Sequence, residues 1–258
     1  MQAVILAGGY GTRLSEETSV RPKPMVEIGG MPVIWHIMKT YSAHGIDDFI
    51  ICCGYKGQFI KEYFWKYSMH TSDVTIDLRK GNEVEIHRKA AEPWKITMVD
   101  TGLETLKGGR IRRIQEFLEG DTFCLTYGDG VSDIDVTKLR EFHSSHDGLV
   151  TLTAVQTKGR FGAFQLTGDS TEIRDFREKP TTAAAWINGG YFVVDKKALE
   201  YITDDSTDWE IGPLEKMSHE GNLRAYKHSG FWHPMDTLND KNALENMWQN
   251  DMAPWKVW

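Results

Sequence analysis

The sequence predicts a three-layer α/β/α fold of the Rossmann-like type, with a mostly parallel but mixed sheet. Short strand-like segments alternate with longer amphipathic segments along the chain. Several of the short segments are apolar at every position, which is typical of inner strands that are covered by helices on both faces. The first half has the order strand, loop, helix, strand, helix, which favours right-handed crossovers and parallel pairing.

The spacing of the apolar residues places the elements along the chain. Apolar runs bounded by turn residues predict strands at 2–7, 48–53, 74–78, 84–88, 96–99, 123–127, 149–155, 163–166 and 190–194. Helical spacing predicts helices at about 32–44, 56–68, 110–118, 135–146, 196–203, 212–220 and 237–250. The region 70–100 is typical of antiparallel strands rather than of another crossover, so we expect the sheet to be mixed.

Length and composition indicate an ordinary globular chain. No linker or repeat interrupts the 258 residues, and we expect a single domain over 1–258. No signal peptide is visible, and no stretch approaches the ~18 apolar residues of a membrane span. The cysteines Cys52, Cys53 and Cys124 lie in apolar runs without metal-ligand spacing, which predicts reduced thiols and a cytoplasmic location. A net charge of −7 argues against nucleic-acid binding but permits a local cationic site for a small anion.

A glycine-rich loop follows the first predicted strand. The segment 8–11 reads GGYG and is followed by Arg13 and by Lys23, which stands between two prolines. Glycines let backbone amides approach a phosphate, and the cations favour that interpretation over a tight turn that only needs positive φ. The loop is not a dinucleotide fingerprint, because Leu14 occupies the third glycine position, and no Gly-Lys-Ser/Thr follows as in a P-loop. A dehydrogenase is therefore disfavoured.

Several segments together resemble a known family. LAGGYGTRL at 6–14 and RPKPM at 21–25 are similar to the signature of the sugar-1-phosphate nucleotidylyltransferases. YGDG at 127–130, REKP at 177–180 and NGGY at 188–191 resemble that family's metal-binding, E-K-P and sugar-contacting elements, in the family's order. The resemblance implies the nucleotidyltransferase fold, with a nucleotide-binding part at about 1–130 and a sugar-phosphate-binding part at about 131–258.

A narrower similarity points to the glucose-1-phosphate cytidylyltransferases. It is carried by VEIGG at 26–30, WHIMK at 35–39, FIICCGYKG at 49–57, VDTG at 99–102, GGR at 108–110, PMDTL at 234–238 and APWK at 253–256. Met31 departs from the pattern, in which lysine is frequent, and the segment 103–107 is less familiar. The implied reaction is CTP plus α-D-glucose 1-phosphate giving CDP-glucose and pyrophosphate, with Mg²⁺ as cofactor. Such a transfer depends on positioning and charge neutralisation rather than on a protein nucleophile.

The resemblance implies a set of nucleotide-binding and catalytic residues. Arg13, Lys23 and Asp129 are the expected catalytic residues. Arg13 would neutralise the departing phosphates, and Lys23 would reach the α-phosphate or the incoming phosphate. The expected nucleotide-binding residues are Leu6, Ala7, Gly8, Gly9, Tyr10, Gly11, Thr12, Arg13, Lys23, Thr105, Gly109, Arg110 and Gly128. Two alternatives stay open at this point, in which Lys23 is a solvated lysine and Arg110 is a solvated charge on an amphipathic helix.

Asp129 and Asp236 are the expected metal ligands. Asp129 follows an apolar strand, and carboxylates at that position suit Mg²⁺ together with phosphate oxygens. Its alternative is an Asp-Gly turn. Asp236 is assigned by resemblance, and its alternative is a helix cap. Asp133 and Asp135 compete for the metal role, although Asp135 is better explained as the N-cap of the next helix.

The sugar phosphate is expected to bind Glu178, Lys179, Asn188 and Gly189 by resemblance. A charged turn before a proline is the alternative for the first two. The tail at 254–258 carries two tryptophans, whose exposure would be unfavourable, so we expect it to dock on the core or on a neighbouring subunit. A homo-oligomer, a hexamer or smaller, is therefore predicted.

Other functions remain possible from the sequence. The same chemistry could use UTP, dTTP or another hexose 1-phosphate. A non-catalytic sensor of nucleotides or sugar phosphates is disfavoured, because Arg13, Lys23, Asp129 and Asp236 are all present. The expected partners are thus CTP and glucose 1-phosphate, with neither nucleic acid nor membrane.

Overall fold

The structure is a computed structural model that describes residues 1–88, 91–156, 163–165, 174–177 and 186–258. For 163–165, 174–177 and four further residues it describes the backbone alone, and these four are Arg13, Ser15, Glu16 and Arg88. Among the helices of the described ranges, none is long and apolar enough to cross a membrane.

The strands and helices have the following bounds. The strands are β1 Ala3–Ala7, β2 Glu27–Ile28, β3 Met31–Pro32, β4 Asp48–Cys53, β5 Asp73–Asp77, β6 Glu83–Arg88, β7 Lys95–Asp100, β8 Thr122–Tyr127, β9 Gly130–Ser132, β10 Val150–Val155, β11 Ala163–Gln165, β12 Arg174–Arg177, β13 Ile187–Asp195, β14 Leu223–His228 and β15 Trp232–Pro234. The helices are α1 Ser15–Thr18, α2 Val33–Ala43, α3 Gly57–His70, α4 Lys107–Arg113, α5 Val136–Ser144, α6 Glu215–His219 and α7 Leu238–Gln249.

Within the described residues, a seven-stranded mixed sheet forms the centre, in the order β14-β10-β13-β8-β1-β4-β7. Strands β8, β1, β4 and β7 are mutually parallel, as are β10 and β14, whereas β13 runs antiparallel to both of its neighbours. The predicted mostly parallel mixed sheet is therefore confirmed. The carboxyl ends of β8, β1 and β4 meet at one edge, where open α/β sheets bind ligands.

Alternate residues of β1 face two separate cores. Ile5 packs on one side with Ile37 and Tyr41 of α2, while Val4 packs on the other side with Ile111 of α4. All five side chains are fully buried, and burial of each of the four aliphatic ones contributes about 1.5–3 kcal/mol of hydrophobic stabilisation. Helices on both faces of one sheet give the predicted three layers.

Helix α2 shows how the sequence sets an element's limits. Apolar residues at 33, 34, 37, 38 and 41 form one buried face. The helix begins directly after Pro32, whose fixed φ suits a helix entrance. It ends before Gly45, which takes the left-handed conformation at φ 76° that favours glycine after a helix.

Three sequence expectations need correction. Strand β7 does not belong to an antiparallel set, because it pairs in parallel with β4, and the antiparallel pairing of this region is confined to β5 and β6. Helix α4 begins three residues before the predicted start and is followed by a 3-10 turn at Gln115–Phe117. The predicted helix at 196–203 is a 3-10 segment, Lys196–Tyr201.

Strand β14 was missing from the prediction for a physical reason. Its sequence, LRAYKH, is rich in charged and polar side chains, and it lies at the edge of the sheet beside β10. Edge strands carry such charges because an exposed apolar edge would promote pairing between molecules. The apolar periodicity that marks an inner strand is therefore absent.

The C-terminal tail docks on its own chain. Trp255 is fully buried, and its Nε1–H donates to Nδ1 of His36 at 3.3 Å. The Nε2 atom of His36 lies 2.8 Å from the carbonyl oxygen of Ile28, to which it donates. Trp248 packs edge-on against the His36 ring, with centroids 4.7 Å apart. The neutral imidazole is thus held between a donor and an acceptor.

We expect His36 to make folding depend on pH. Burial lowers the pKa of His36 from its usual value to about 4, so the unfolded chain binds a proton more readily than the folded chain. The contribution of neutral His36 to the free energy of unfolding is therefore fully present above the unfolded pKa of about 6.5. It decreases as the pH falls from there towards 4. The free energy of unfolding should fall by about 2 kcal/mol between about pH 7.5 and pH 5 because of this group.

Urea unfolding at both pH values measures this decrease. The His36→Gln variant should lose it, whereas the control His70→Gln, which changes an exposed histidine, should keep it. An equal pH dependence in His36→Gln and the wild type would contradict the assignment.

Candidate active site

A cavity of about 580 Å³ opens at the carboxyl edge of the sheet. Five segments form its wall. They are the end of β1 with the glycine-rich loop, the turn that begins at Lys23, the loop from β7 into α4, the end of β8, and the segment before α6 that carries Asp208 and Glu210. The residues that line it are Leu6, Ala7, Gly8, Gly9, Tyr10, Gly11, Thr12, Lys23, Pro24, Leu103, Glu104, Thr105, Leu106, Lys107, Arg110, Tyr127, Gly128, Asp129, Asp208 and Glu210. Most of the predicted nucleotide-binding residues are therefore brought together around one cavity.

Two glycines of the glycine-rich loop, Gly8 and Gly11, are needed for two separate reasons. Gly11 has a φ of 65°, which other residues rarely adopt. A Cβ atom on Gly8 would lie 2.2 Å from Nη1 of Arg110, and one on Gly128 would lie 2.9 Å from the carbonyl oxygen of Leu6. Turn geometry and close approach thus both apply, and the residues of this loop line the cavity. The backbone of Arg13 follows in the turn Thr12–Leu14, and its side chain lies outside the described part of the structure.

Arg110 is buried and holds the loop that follows β7. Its guanidinium donates to the carbonyl oxygens of Cys53 at 3.2 Å, Gly102 at 2.8 Å and Leu103 at 3.2 Å, and to Oγ1 of Thr101 at 2.7 Å. Burial lowers its pKa from the ordinary arginine value. The alternative that Arg110 is a solvated charge is therefore wrong. Its donors bind the end of β4 and the loop that brings Leu103 to the cavity, so Arg110 supports that part of the wall.

Gly109 has a different place from the one expected. It does not line the cavity, and a Cβ atom on it would lie 2.5 Å from the Cα atom of Asp205. Gly108 is similarly close to the carbonyl oxygen of Thr207, at 2.7 Å from an added Cβ. These two glycines let α4 pack directly on the segment 205–207. Thr105, in contrast, is buried and does line the cavity.

Lys23 lies between the two carboxylates that were predicted to bind metal. Its Nζ atom is 2.7 Å from Oδ2 of Asp129 and 2.7 Å from Oδ1 of Asp236. The Lys23 side chain is only 9% exposed, so the alternative of a solvated lysine is wrong. Pro22 fixes the entrance to the 3-10 turn Lys23–Met25, and buried Met25 anchors that turn.

The two carboxylates are brought together by backbone pairing. Strands β9 and β15 pair antiparallel, with Gly130 opposite Pro234. The amide of Met235 donates to the carbonyl oxygen of Asp129 at 2.8 Å, which places Asp236 beside Asp129 although they are far apart in sequence. The local folding of this small ribbon thus creates the acidic pair.

The helix-cap alternative for Asp236 is wrong. Helix α7 is capped by Thr237, whose side chain accepts from the amide of Asp240 while the Asp240 carboxylate accepts from the amide of Thr237. Asp135 caps α5 as expected, accepting from the amide of Lys138 at 3.0 Å. Asp133 lies 2.9 Å from Nε2 of His228.

The acidic pair suits a divalent cation. Mg²⁺ is usually held by one or two protein carboxylates together with substrate phosphates and water. Among the described residues, no group of three or more His, Cys, Asp or Glu side chains forms a complete metal site. Asp129 and Asp236 both contact the same ammonium nitrogen, so their carboxylates are close enough to bind one cation together. Phosphate oxygens of a substrate and water would complete its coordination.

A second cavity of about 180 Å³ adjoins the first one. Asp129 and Tyr127 line both cavities, and Gly189, Trp232 and Asp236 line the second. The indole Nε1–H of Trp232 donates to the carbonyl oxygen of Gly189 at 2.6 Å. Of the predicted sugar residues, Gly189 lines this cavity, and Asn188 is the residue before it in β13.

The other predicted sugar residues are Asn188, Glu178 and Lys179. Asn188 is half-buried, and its Nδ2 atom donates to the hydroxyl of Tyr127 at 3.1 Å. Glu178 and Lys179 lie outside the described residues.

Several cavity residues have no role that the sequence predicts. Tyr127 stands in the YGDG motif without a predicted role of its own, and its hydroxyl donates to Oε1 of Glu210 at 2.5 Å. Burial and the neighbouring Glu210 carboxylate raise the pKa of Tyr127, so this hydroxyl stays protonated. Lys107 pairs with Glu210 at 2.6 Å. The YGDG motif was the available signal for Tyr127, whereas Glu210 stands in a segment without any motif.

Comparisons with known proteins agree with this geometry. The family model described as nucleotidyl transferase matches residues 2–237. The glucose-1-phosphate cytidylyltransferase of Salmonella typhi is 53% identical over 259 residues, and the match covers all of both chains. A probable glucose-1-phosphate cytidylyltransferase of Bacillus subtilis is 40% identical, again over all of both chains. The crystal structure of HddC from Yersinia pseudotuberculosis has the same fold, with a TM-score of 0.70 at 23% identity, over 96% of this chain and 99% of that one.

We expect Lys23 to stabilise the fold by neutralising the acidic pair. The Lys23→Met variant leaves two carboxylates facing each other in a mostly buried site, which should lower the free energy of unfolding by about 3 kcal/mol. Adding Mg²⁺ should recover part of this loss, because a bound cation stabilises the folded state. Urea unfolding with and without Mg²⁺ measures both effects.

Lys95→Met is the matched control. Lys95 also bridges two carboxylates, Asp48 and Glu119 at 2.9 Å each, but its side chain is 60% exposed. Its loss should cost at most about 1 kcal/mol and should not respond to Mg²⁺. Equal losses for the two variants would show that Lys23 is an ordinary surface cation.

Proposed function

The chain belongs to the nucleotidyl transferase family, and we propose that it transfers the cytidylyl group of CTP to α-D-glucose 1-phosphate, forming CDP-glucose and pyrophosphate. The observation that carries this proposal is the position of Lys23, Asp129 and Asp236 where two cavities adjoin. The larger cavity suits the nucleotide, and the smaller one suits the sugar. Full-length relatives at 53% and 40% identity support the choice of CTP and glucose 1-phosphate.

The transfer needs no protein nucleophile. An oxygen of the sugar phosphate attacks the α-phosphorus of CTP, a new phosphorus–oxygen bond forms, and the bond to the β-phosphate oxygen breaks. Pyrophosphate leaves with the electron pair of that bond. The work of the protein is therefore to align the two phosphates and to neutralise their charge.

The residues of the first cavity take complementary roles. The backbone of the loop at 8–11, in which Gly9 and Tyr10 are exposed, holds the triphosphate through its amides. Phosphate oxygens of the bound nucleotide compete with the two carboxylates for the Lys23 ammonium, which is thereby drawn onto the α-phosphate or the incoming phosphate. Arg13 neutralises the departing pyrophosphate.

A divalent metal has its place beside these residues. Enzymes of this family generally use one, and we propose that it is Mg²⁺, held by Asp129 and Asp236. When bound, it supplies positive charge to the phosphate oxygens. Because Lys23 contacts the same two carboxylates, its ammonium keeps them in position before the substrates arrive.

Recognition of the base falls to the loop that Arg110 supports. Since the guanidinium donates to protein oxygens, the contacts to cytosine are left to the exposed edge of the loop at 103–107 and to Thr105. Cytosine carries an amino donor where uracil and thymine carry an acceptor. An acceptor presented by this loop therefore distinguishes CTP from UTP and dTTP.

We also infer a homo-oligomer, a hexamer or smaller, in the cytoplasm. The tail is not evidence for an oligomer, because Trp255 is buried against its own chain. Exposed apolar side chains on another surface support an oligomer instead. Trp65 of α3 is 83% exposed, and Leu78 between β5 and β6 is 76% exposed. The free thiols of Cys52, Cys53 and Cys124 suit a reducing compartment. Light scattering tests the oligomer, and a monomer would contradict it.

We expect pyrophosphate release from CTP, glucose 1-phosphate and Mg²⁺ to exceed release from UTP, dTTP, ATP or GTP by roughly tenfold or more, the factor that 1.4 kcal/mol of discrimination gives. A coupled pyrophosphate assay measures each nucleotide separately. Faster release with another nucleotide would keep the chemistry and contradict the choice of base. If no nucleotide releases pyrophosphate, with glucose 1-phosphate or with other hexose 1-phosphates, the result would favour a non-catalytic sensor of nucleotides or sugar phosphates.

Asp129→Asn should lower the turnover number by roughly a hundredfold or more, because a neutral amide is a poor ligand for the cation that neutralises the phosphates. The circular dichroism spectrum should be unchanged. Asp133→Asn is the control, because Asp133 contacts His228 rather than Lys23, and its turnover should match the wild type. Near-normal turnover in Asp129→Asn would remove Asp129 from the metal site.

A further inference from the structure

Tyr127 stands between the two cavities and lines both of them. It is the last residue of β8, two positions before Asp129. Its hydroxyl donates to Oε1 of Glu210 at 2.5 Å and accepts from Nδ2 of Asn188 at 3.1 Å. A single hydroxyl thus joins a carboxylate of the larger cavity to a side chain that we assign to the sugar.

The hydrogen bonds of this hydroxyl have only one possible direction. An ionised carboxylate only accepts, so the proton of the Tyr127 hydroxyl must point to Glu210. The hydroxyl oxygen then accepts from Asn188, which fixes the amide nitrogen of Asn188 on that side. The amide oxygen, Oδ1, turns the other way and accepts from the amide of Gly190 at 2.8 Å.

Both ends of this hydrogen-bonded chain are anchored. The second carboxylate oxygen of Glu210 lies 2.6 Å from Nζ of Lys107, which is also 3.5 Å from a carboxylate oxygen of Asp208. The amide of Glu210 donates to Oδ1 of Asp208 at 3.1 Å, and the neighbouring Trp209 is fully buried. Glu210 is therefore held both by its backbone and by its charge.

The backbone at β13 is built to admit the tyrosine ring. Gly190 has a φ of 76°, and a Cβ atom on it would lie 2.5 Å from the ring of Tyr127. The next residue of β13, Tyr191, pairs with Thr126 of β8, so Gly190 lies beside Tyr127 in the sheet. The glycine both clears the ring and supplies the amide that binds Asn188.

We propose that Glu210 and Tyr127 are positioning residues that fix the amide of Asn188 for the hydroxyl groups of the sugar. An asparagine amide offers two N–H donors and two acceptor lone pairs, and the two contacts described use one of each. The second N–H and the second lone pair of the Asn188 amide are thereby held in one orientation. A sugar hydroxyl, which both donates and accepts, can bind to an amide that is fixed in this way. The assignment of the sugar rests on the proposed function, whereas the orientation of the amide does not.

The first test separates the two substrates. Tyr127→Phe and Glu210→Gln should each raise the KM for glucose 1-phosphate by roughly tenfold, the effect of losing one oriented hydrogen bond. The KM for CTP should rise much less, because neither change removes a hydrogen bond that we assign to the nucleotide. The double variant should be no worse than either single variant, because both remove the same orientation. Equal increases in the two KM values, or additive effects, would overturn the proposal.

A matched control exists on the surface. The hydroxyl of Tyr201 donates to Glu220 and accepts from Nδ2 of Asn222 at 3.2 Å, so it makes the same pattern of contacts away from both cavities. Tyr201→Phe and Glu220→Gln should leave both KM values unchanged. An increase in the KM for glucose 1-phosphate in these controls would show that the effect is not specific to the site.

A second readout does not depend on turnover. In nitrogen-15 NMR spectra, the side-chain amide of Asn188, identified by its loss in Asn188→Asp, should give two slowly exchanging resonances in the wild type and in Tyr201→Phe. The two amide protons of any asparagine give separate resonances, so the expected change in Tyr127→Phe and Glu210→Gln is faster exchange with solvent and a shift towards the positions of exposed asparagines. Unchanged resonances there would overturn the proposal even if the enzyme used another sugar. A wild type without turnover but with the fixed amide would contradict the proposed function alone.

Discussion

The contact of one lysine with two aspartates is the interaction on which the rest of the site depends. Lys23, Asp129 and Asp236 come from a turn after the glycine-rich loop, from the end of β8 and from the residue before the cap of α7. Grouping three partly buried charges is unfavourable unless they neutralise each other. The single ammonium of Lys23 leaves this group with a net negative charge. A divalent cation would make the net charge of the site positive, and phosphates could then bind there.

The surrounding fold serves to hold this group and the loops beside it. The β9–β15 ribbon sets the two aspartates side by side, and Pro22 with buried Met25 directs Lys23 towards them. Buried Arg110 ties the loop after β7 to the end of β4. The cavity wall is thus rigid where the phosphates must be aligned, which is where preorganisation contributes most to transfer reactions.

Much of this could be predicted from the sequence because it depends on local patterns. The strand at 48–53 was predicted to the residue, since an unbroken apolar run marks an inner strand. Lys23 and the glycine-rich loop were found through motifs. The role of Gly109 was not predictable, because its partner Asp205 is almost a hundred residues away in sequence. Glu210 and its bond to Tyr127 were missed for the same reason, and the division of the chain into two parts near residue 130 stays a prediction.

The most direct test is a crystal structure with Mn²⁺ and a CTP analogue whose α,β-bridge is methylene, so that transfer cannot occur. We predict an anomalous peak between the carboxylates of Asp129 and Asp236, with the nucleotide in the larger cavity and the Lys23 ammonium on a phosphate oxygen. A nucleotide bound in that cavity, with Lys23 still bridging the two aspartates and the ion elsewhere, would contradict it.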